Sequence, residues 1–336
     1  MPDEGMKYFI FPLKFDSPVH FGNGELGGDL TNCGIEFASD AFINALLHEL
    51  RSLGDEQLMQ KLSNLLDERR LIFSDLLPYV LRDEMELYLP KPVMLGKVKE
   101  LSDNLEQVRQ QATVMKAQKK IHYIRSTHLE GFVNSLRGGG IFSLQGNRFA
   151  DKGIVQRVFI RPRQSSPDME PVPYFVGANN FRDGAGLYVI AGLEDADDVQ
   201  FVENLIEYVG LSGIGGKRSS GYGKYHILRE NISASADMSE LVRLLERTDG
   251  EIQMSLSTVL PAAGDVGVLA QSWYKLKQRS GFISGLHGDV ARKKNSIYML
   301  AAGACFPHRV PGTCKLLGCV DDVPVKRYGY GMYVGL

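Results

Sequence analysis

The segment Gly186 to Ala191 reads GLYVIA, an almost wholly apolar run of strand length. Directly after it, Phe201, Val202, Leu205, Ile206 and Val209 recur at helical spacing, and Gly223 to Arg229 returns to strand character. Between that helix and that strand lies SGIGGKRSSGYGKY, Ser212 to Tyr225, with five glycines in fourteen residues. Strand, helix, glycine-rich loop and strand in this order require a helix that packs back onto a sheet.

The N-terminal part repeats the theme. In Lys7 to Phe15, Phe9, Phe11, Leu13 and Phe15 alternate against Tyr8, Ile10 and Lys14, the period of a strand with one buried face, and Ser17-Pro18 turns the chain. Ser39 is predicted to cap a helix whose stripe is Phe42, Ile43, Leu46, Leu47, Leu50 and Leu53, with Asp40 suited to its positive end. A second amphipathic stretch runs through Leu58, Leu62, Leu65 and Leu66, and Glu84 to Leu89 reads as a strand closed by Pro90 and Pro92.

These elements spell the βαββαβ order with a long insertion, so the predicted fold class is α+β, two ferredoxin-like (RRM-like) domains with a long insertion in the first. The first domain covers 1–230, with the insertion at about 91–183 and the glycine-rich loop at 212–224; the second covers 231–336. In the insertion, Gln107 to Leu129 carries Arg109, Lys116, Lys119, Lys120 and Arg125 without an acidic residue. A short helix there ends at Gly138 to Gly140, Ile154 to Arg163 reads as a strand with Arg157, Arg161 and Arg163 on one face, and Gln164 to Gly184 fits no strong pattern. Beyond Asn231 a helix is predicted near Met238 to Thr248, and strands near Ile252 to Leu256, Gly267 to Gln278, Ser296 to Ala301 and Val325 to Val334.

Composition narrows the function. The chain has 336 residues, 44% hydrophobic, and a formal net charge of −2, so any nucleic-acid binding rests on local basic patches. No apolar run spans a bilayer and the opening MPDEGMKYFIF lacks signal-peptide character, which points to the cytoplasm and no membrane. Cys33, Cys305, Cys314 and Cys319 form no CxxC pair and read as free thiols, with a zinc site in the late cluster as the alternative.

The loop is neither common nucleotide motif. A P-loop fails because Arg218 follows Gly216-Lys217 and Leu211 stands at the leading glycine; G-x-G-x-x-G fails because Arg218 takes the third glycine's place. No cofactor is implied. Residues free to adopt positive φ expose successive N–H groups, Lys217, Arg218 and Lys224 add charge, and no acidic residue occurs from Ser212 to Arg229. A polyanion backbone fits this loop, and the plain alternative is a tight solvated turn.

With this loop in this position, the sequence resembles the RAMP superfamily of CRISPR RNA-binding proteins. The string LIEYVGLSGIGGKRSSGYGKYHI is similar to one branch, the fourth subunit of the type III-A (Csm) effector complex, related to subunit three of the type III-B (Cmr) complex. SPVHFGNG, FASDAFINALLHEL, KKIHYIR, AGLYVIA and VKRYGYGMYV agree with it in order and spacing. The resemblance implies a subunit that is not an enzyme. Such a subunit holds the repeat-derived 5′ tag of the guide RNA (crRNA) and docks the large polymerase/cyclase-type subunit and the adjacent RAMP backbone subunit. It also implies a thumb-like element in the insertion that helps place the RNA.

The resulting RNA-contact set is His20, Phe21 and Gly22; Ser39; Lys119, Lys120 and Arg125; Gly213, Gly215, Gly216, Lys217, Arg218, Ser219, Ser220 and Gly221; Lys275, Lys277 and Arg279; and Arg327. Lys275, Lys277 and Arg279 share one strand face, either RNA-facing or solvated, and the run Arg292, Lys293 and Lys294 is either a guide-binding edge or a mobile solvated loop. Arg327 with Tyr328 is a stacking pair or ordinary strand packing. His20 is the one acid–base candidate, for a metal-independent endoribonuclease processing CRISPR repeat RNA, but no partner is apparent and an RNA-shaping role competes. Asp40 as a metal ligand competes with its helix-start role.

Overall fold

The computed structural model describes residues 5–22, 30–96, 105–138, 142–144, 146–159, 172–229, 235–280, 282–283, 292–293, 295–320 and 323–336. It is a mixed α and β protein with antiparallel sheets. In chain order the first part comprises β1 (Lys7–Phe15), β2 (Phe21–Gly22), β3 (Cys33–Gly34), α1 (Ser39–Leu53), α2 (Glu56–Asp67), β4 (Leu71–Phe73), β5 (Leu77–Leu81), β6 (Met85–Pro90), α3 (Leu105–Lys119), β7 (Tyr123–Arg125), α4 (Leu129–Leu136), β8 (Ala150–Phe159), β9 (Val172–Phe181), β10 (Ala185–Leu193), α5 (Val199–Ser212) and β11 (Tyr225–Ile227). Its main sheet has the order β11-β1-β10-β5-β6-β7, with β4 also paired to β10.

The apolar character of GLYVIA follows from its place. All nine residues of β10 are buried because the sheet is covered on both faces. On one face Phe11, Leu13, Leu187 and Val189 pack with Phe42, Leu46 and Leu50 of α1 and Val202, Ile206 and Val209 of α5. On the other, Tyr79, Leu87, Tyr188 and Ile190 pack with residues beyond 235, among them Leu241, Leu244, Met254 and Val334.

Those residues belong to α6 (Ala236–Glu246), β12 (Gln253–Ser255), α7 (Val266–Leu269), β13 (Leu276–Arg279), β14 (Phe282–Ile283), β15 (Arg292–Lys293), β16 (Ile297–Leu300), β17 (Cys305–Phe306), β18 (Gly312–Val320), β19 (Val323–Tyr330) and β20 (Tyr333–Gly335). The sheet β17-β12-β20 lies with α6, while β13–β16, β14–β15 and β18–β19 are separate two-stranded ribbons. One core therefore joins the N-terminal sheet to the C-terminal elements.

Several local expectations change. Gly267 to Gln278 is not a strand: Val266–Leu269 forms a helical turn and β13 begins at Leu276. The predicted strand Val325 to Val334 is two, β19 and β20, preceded by the unpredicted partner β18. The segment Gln164 to Gly184 contains β9, which pairs along its whole length with β8. Strands β4 and β5 were not predicted at all.

Ser39 is not the cap of α1. Ala38 holds the N-cap position in extended backbone, and the Ser39 N–H donates to Asp75 Oδ1 at 2.8 Å. Asp75 also accepts from the Thr258 N–H and Oγ1, each at 2.8 Å, so one carboxylate ties the helix start to the C-terminal part. Burial pushes the Asp75 carboxyl above its usual range. Among the described residues no helix is long and apolar enough to cross a membrane.

Candidate nucleic-acid interface

The glycine-rich loop leaves α5 and folds under itself before β11. Gly213, Gly215, Gly221 and Gly223 have positive φ, and so does one non-glycine residue, Lys217, at φ 62°. Glycine is required where the loop is tight: a Cβ on Gly215 would meet the Phe21 ring at 2.6 Å, and one on Gly223 would strike the Ile214 carbonyl.

The expectation of a run of bare amides needs correction. The Gly213 N–H donates to Val209 O, Ile214 to Gly223 O, Gly216 to His20 O, Ser220 to Lys217 O, Gly221 to Arg218 O and Gly223 to Pro18 O. These bonds pin the loop to the segment after β1, as buried backbone groups require. Among the described residues, the amides of Gly215, Lys217, Arg218 and Ser219 accept no such internal duty, and they form the tip. Ser219 and Ser220 are exposed there, while Lys217, Arg218 and Gly221 are half-buried.

The β8–β9 hairpin closes one side of this tip. Arg157 and Tyr174 stand directly opposite each other in its ladder. The Arg157 guanidinium lies 5.7 Å from the centre of the Tyr222 ring and its Nη2 donates to Tyr222 Oη at 3.4 Å. Lys217 Nζ lies 5.0 Å from the centre of the Tyr174 ring. Among the described residues, Arg157, Lys217 and Arg218 have no carboxylate partner.

His20 sits beneath the loop. It is buried, and its Nδ1 lies 2.8 Å from the Gly177 carbonyl, so Nδ1 carries the proton of that bond and Nε2 is left toward Gly216. Phe21 is buried against Phe37 and Phe15, and Gly22 is exposed. On the other flank, burial and then the Arg218 guanidinium hold the His48 imidazole below its usual range.

The remaining residues of the predicted set lie elsewhere. Lys119 and Lys120 are exposed at the end of α3. The Arg125 guanidinium is taken up by Asp237 at 2.5 Å and Glu86 at 3.1 Å. Lys277 pairs with Glu36 at 2.9 Å and Arg279 with Asp40 at 2.8 Å, so their shared strand face meets the start of α1 rather than solvent; Lys275 is exposed. Arg327 is 3% exposed and pairs with Asp40, and Tyr328 donates to Asp67 Oδ1 at 3.1 Å, which is the packing alternative of that pair. Arg327 and Arg125 therefore have internal anions, and Asp40 is an ion-pair centre. Arg161, Arg163 and Lys294 lie outside the described residues.

The structure adds Arg157, Tyr174, Tyr222 and His48 to the site. A signal for Tyr174 was present: Val172, Tyr174, Val176 and Ala178 alternate in VPYFVGANNF, with the β-branched and aromatic enrichment of a strand. Tyr222 lies inside the glycine-rich loop, where the local sequence does not reveal that its ring meets Arg157 of the hairpin. The four cysteines are free, Cys33 and Cys305 buried, and among the described residues no cluster of three His, Cys, Asp or Glu could hold a metal.

Known proteins resemble this chain in sequence and in fold. Residues 248–336 match the CRISPR Csm4 C-terminal domain. The "CRISPR system Cms protein Csm4" of Mycobacterium tuberculosis (strain H37Rv) is 27% identical over 331 residues, 97% of each chain. The protein of the same name from Streptococcus thermophilus is 26% identical over 310 residues, 91% of each. In fold, the chain resembles one in a Csm1-Csm4 cassette in complex with AMPPNP (TM-score 0.56, 17% identity, 98% of both chains). It likewise resembles one in a Csm3-Csm4 subcomplex of the type III-A CRISPR-Cas interference complex (TM-score 0.57, 15% identity, 98% of this chain and 99% of that one). The chain is thus similar over nearly its whole length to proteins named Csm4, its residues 248–336 match the Csm4 C-terminal domain, and it shares the fold of a chain in the Csm3-Csm4 subcomplex.

Proposed function

We propose that the chain is a non-catalytic subunit that holds the repeat-derived 5′ tag of the guide RNA and anchors a large Csm1-type subunit to a Csm3-type backbone subunit. The observation that carries the RNA reading is the loop tip, where Lys217 and Arg218 stand beside unoccupied amides without a carboxylate partner among the described residues. Cations, close backbone and aromatic faces are what a single strand of RNA needs. The partner reading rests on the crystal structures whose chains share this fold, a Csm1-Csm4 cassette and a Csm3-Csm4 subcomplex.

The architectural reading is of two ferredoxin-like domains meeting near residue 230. The antiparallel order β11-β1-β10-β5, with α1 and α5 on one face, supports it for the first domain. For the second, β17-β12-β20 with α6 supplies part of the pattern.

The test is equilibrium binding of the full chain to single-stranded RNA with and without the tag. Lys217→Ala with Arg218→Ala is expected to weaken binding without changing base preference and to flatten the salt dependence by about one to two units. An unchanged salt slope would leave the loop without its role. His20 supports a second reading, because its Nε2 faces the loop while Nδ1 is held by Gly177. Cleavage of repeat RNA in EDTA that His20→Ala abolishes would favour a nuclease over a carrier.

A further inference from the structure

The chain has a single tryptophan, Trp273, and it is 38% exposed. It stands just before β13, where its N–H donates to the Cys305 carbonyl at 3.0 Å and its own carbonyl accepts from the Cys305 N–H at 2.8 Å. Two residues on, the Lys275 carbonyl accepts from the Ala301 N–H at 2.9 Å, so the backbone is extended and Trp273, Lys275 and Lys277 share one side. Tyr274, on the other side, packs against the cluster of Val259 and Leu300. The indole therefore shares its face with two lysines.

The turn that pairs with Trp273 also reaches the end of β6. The Val93 N–H donates to the Gly303 carbonyl at 2.8 Å, and the Lys91 N–H to the His122 carbonyl at 2.9 Å. Glycine is required at 303, because at φ 90° a Cβ would meet the Lys91 carbonyl at 2.6 Å. Lys91, His122 and Lys275 are gathered in this way, and Lys119 and Lys120 stand exposed at the end of α3, just before His122. Burial and then Lys275 hold the Lys91 ammonium below its usual range. Burial works to raise the Glu36 carboxyl, yet Lys277, His122 and Lys275 together hold it below its usual range. Glu36 pairs with Lys277, and among the described residues Lys119, Lys120 and Lys275 have no carboxylate partner. Positive charge is in excess here.

This face is remote from the glycine-rich loop. The loop enters β11 at one edge of the main sheet, whereas Lys91 and His122 flank β6 and β7 at the other, four and five strand steps of about 4.8 Å away. Every neighbouring pair in that order is antiparallel, which puts the two features at opposite ends of the strands as well.

We infer that Trp273, Lys275, Lys91, His122, Lys119 and Lys120 form a second nucleic-acid surface, which takes a single strand by stacking a base on the indole and seating the adjoining phosphates on the lysines. Stacking on tryptophan tolerates any base, since each has a π-face. Lysines on separate segments follow a phosphate backbone as point charges, whereas lysine is depleted at the centres of protein interfaces, so an extended polyanion fits this face better than an acidic protein does. The surface stands independently of the loop.

The test is fluorescence titration of the full chain, excited at the indole band so that Trp273 alone reports, with a uridine octamer that carries no tag and with a deoxythymidine octamer. The uridine octamer is expected to quench the emission saturably. Lys275→Ala and Lys120→Ala, both at exposed positions, are each expected to weaken that binding about threefold and to lower its salt slope by about 0.7. In the Lys217→Ala, Arg218→Ala background the quenching is expected to persist, and there Trp273→Ala should weaken binding of a labelled octamer about tenfold by anisotropy. Thermal unfolding of each variant separates a binding loss from a folding loss.

Equal quenching by both octamers assigns recognition to base faces and phosphates; quenching by the uridine octamer alone adds a contact to the ribose hydroxyl, and either result carries the surface. Quenching by neither overturns it. So does quenching that disappears with Lys217 and Arg218, because the signal then comes from the loop, or a salt slope that Lys275→Ala and Lys120→Ala leave unchanged. Polyglutamate that quenches as well as the octamers do would make the face a dock for an acidic protein instead.

Discussion

Arg327 and Asp40, 287 residues apart in the chain, form an ion pair in the interior, where Arg327 is 3% exposed and Asp40 fully buried. Arg279 joins the same carboxylate at 2.8 Å. Burial holds the Arg327 guanidinium below its ordinary range, and Asp40 pulls it back. Asp40→Ala would leave two guanidinium groups facing each other away from water, with an expected loss of about 3–5 kcal/mol. Adding Arg327→Met should recover most of it, and urea unfolding midpoints measure both. A loss under about 1 kcal/mol would mean that water reaches the pair.

Asp75 links the first turn of α1 to Thr258. Its carboxyl titrates above the ordinary value because it is buried, so the folded state holds this proton more tightly than the unfolded chain. The contribution of the group is therefore fully present below about pH 3.9 and declines as pH rises through the raised folded value. Asp75→Asn removes this dependence. The stability of the parent relative to Asp75→Asn should fall as pH rises above about 4, as denaturant titrations at a series of pH values would show. A constant difference would place the carboxylate in contact with water. Asp75→Ala strips the acceptor from the helix start and is expected to cost about 1–2 kcal/mol.

The loop glycines divide by neighbourhood. Gly221 has positive φ but open space around its Cβ position, whereas Gly223 has positive φ and the Ile214 carbonyl in the way. Gly221→Ala is expected to cost about 1–2 kcal/mol from backbone strain alone. Gly223→Ala should cost clearly more, since backbone must move. Lys217→Gly should raise the thermal midpoint by releasing the strain at φ 62°. Equal effects at Gly221 and Gly223 would show that the loop can rearrange.

His48 reports on the loop without being part of it. Arg218 adds to the depression that burial causes, with Glu49 opposing. Because the folded value is lowered, the His48 contribution to stability is present above about pH 6.5 and is lost as pH falls. Arg218→Ala should raise the imidazole value, and RNA phosphate beside Arg218 should raise it further in the parent. Ring-proton NMR titration with and without RNA reads both shifts. No change on adding RNA would separate the binding site from this side of the loop.

Much of the sheet was legible because its elements carry their own periodicity. Phe9, Phe11, Leu13 and Phe15 mark β1, and GLYVIA marks a strand covered on both faces. Strands β4 and β5 are short, LIF and LPYVL, three and five residues, and neither alternates: β4 is wholly apolar and β5 carries Pro78, which argues against a central strand. The helical turn Val266–Leu269 is too short for a period to show. Hairpin residues such as Tyr174 needed their partner strand before their face could be assigned.

Local chemistry in the chain determined that a tight, cationic, glycine-rich turn follows a helix and precedes a strand, because positive φ and side-chain charge are properties of single residues. Which cations stay available was a tertiary decision. A charge is spent only when an anion from a distant segment reaches it, as Asp40 reaches Arg327 and Asp237 reaches Arg125, while Arg157 and Lys217 meet aromatic rings instead.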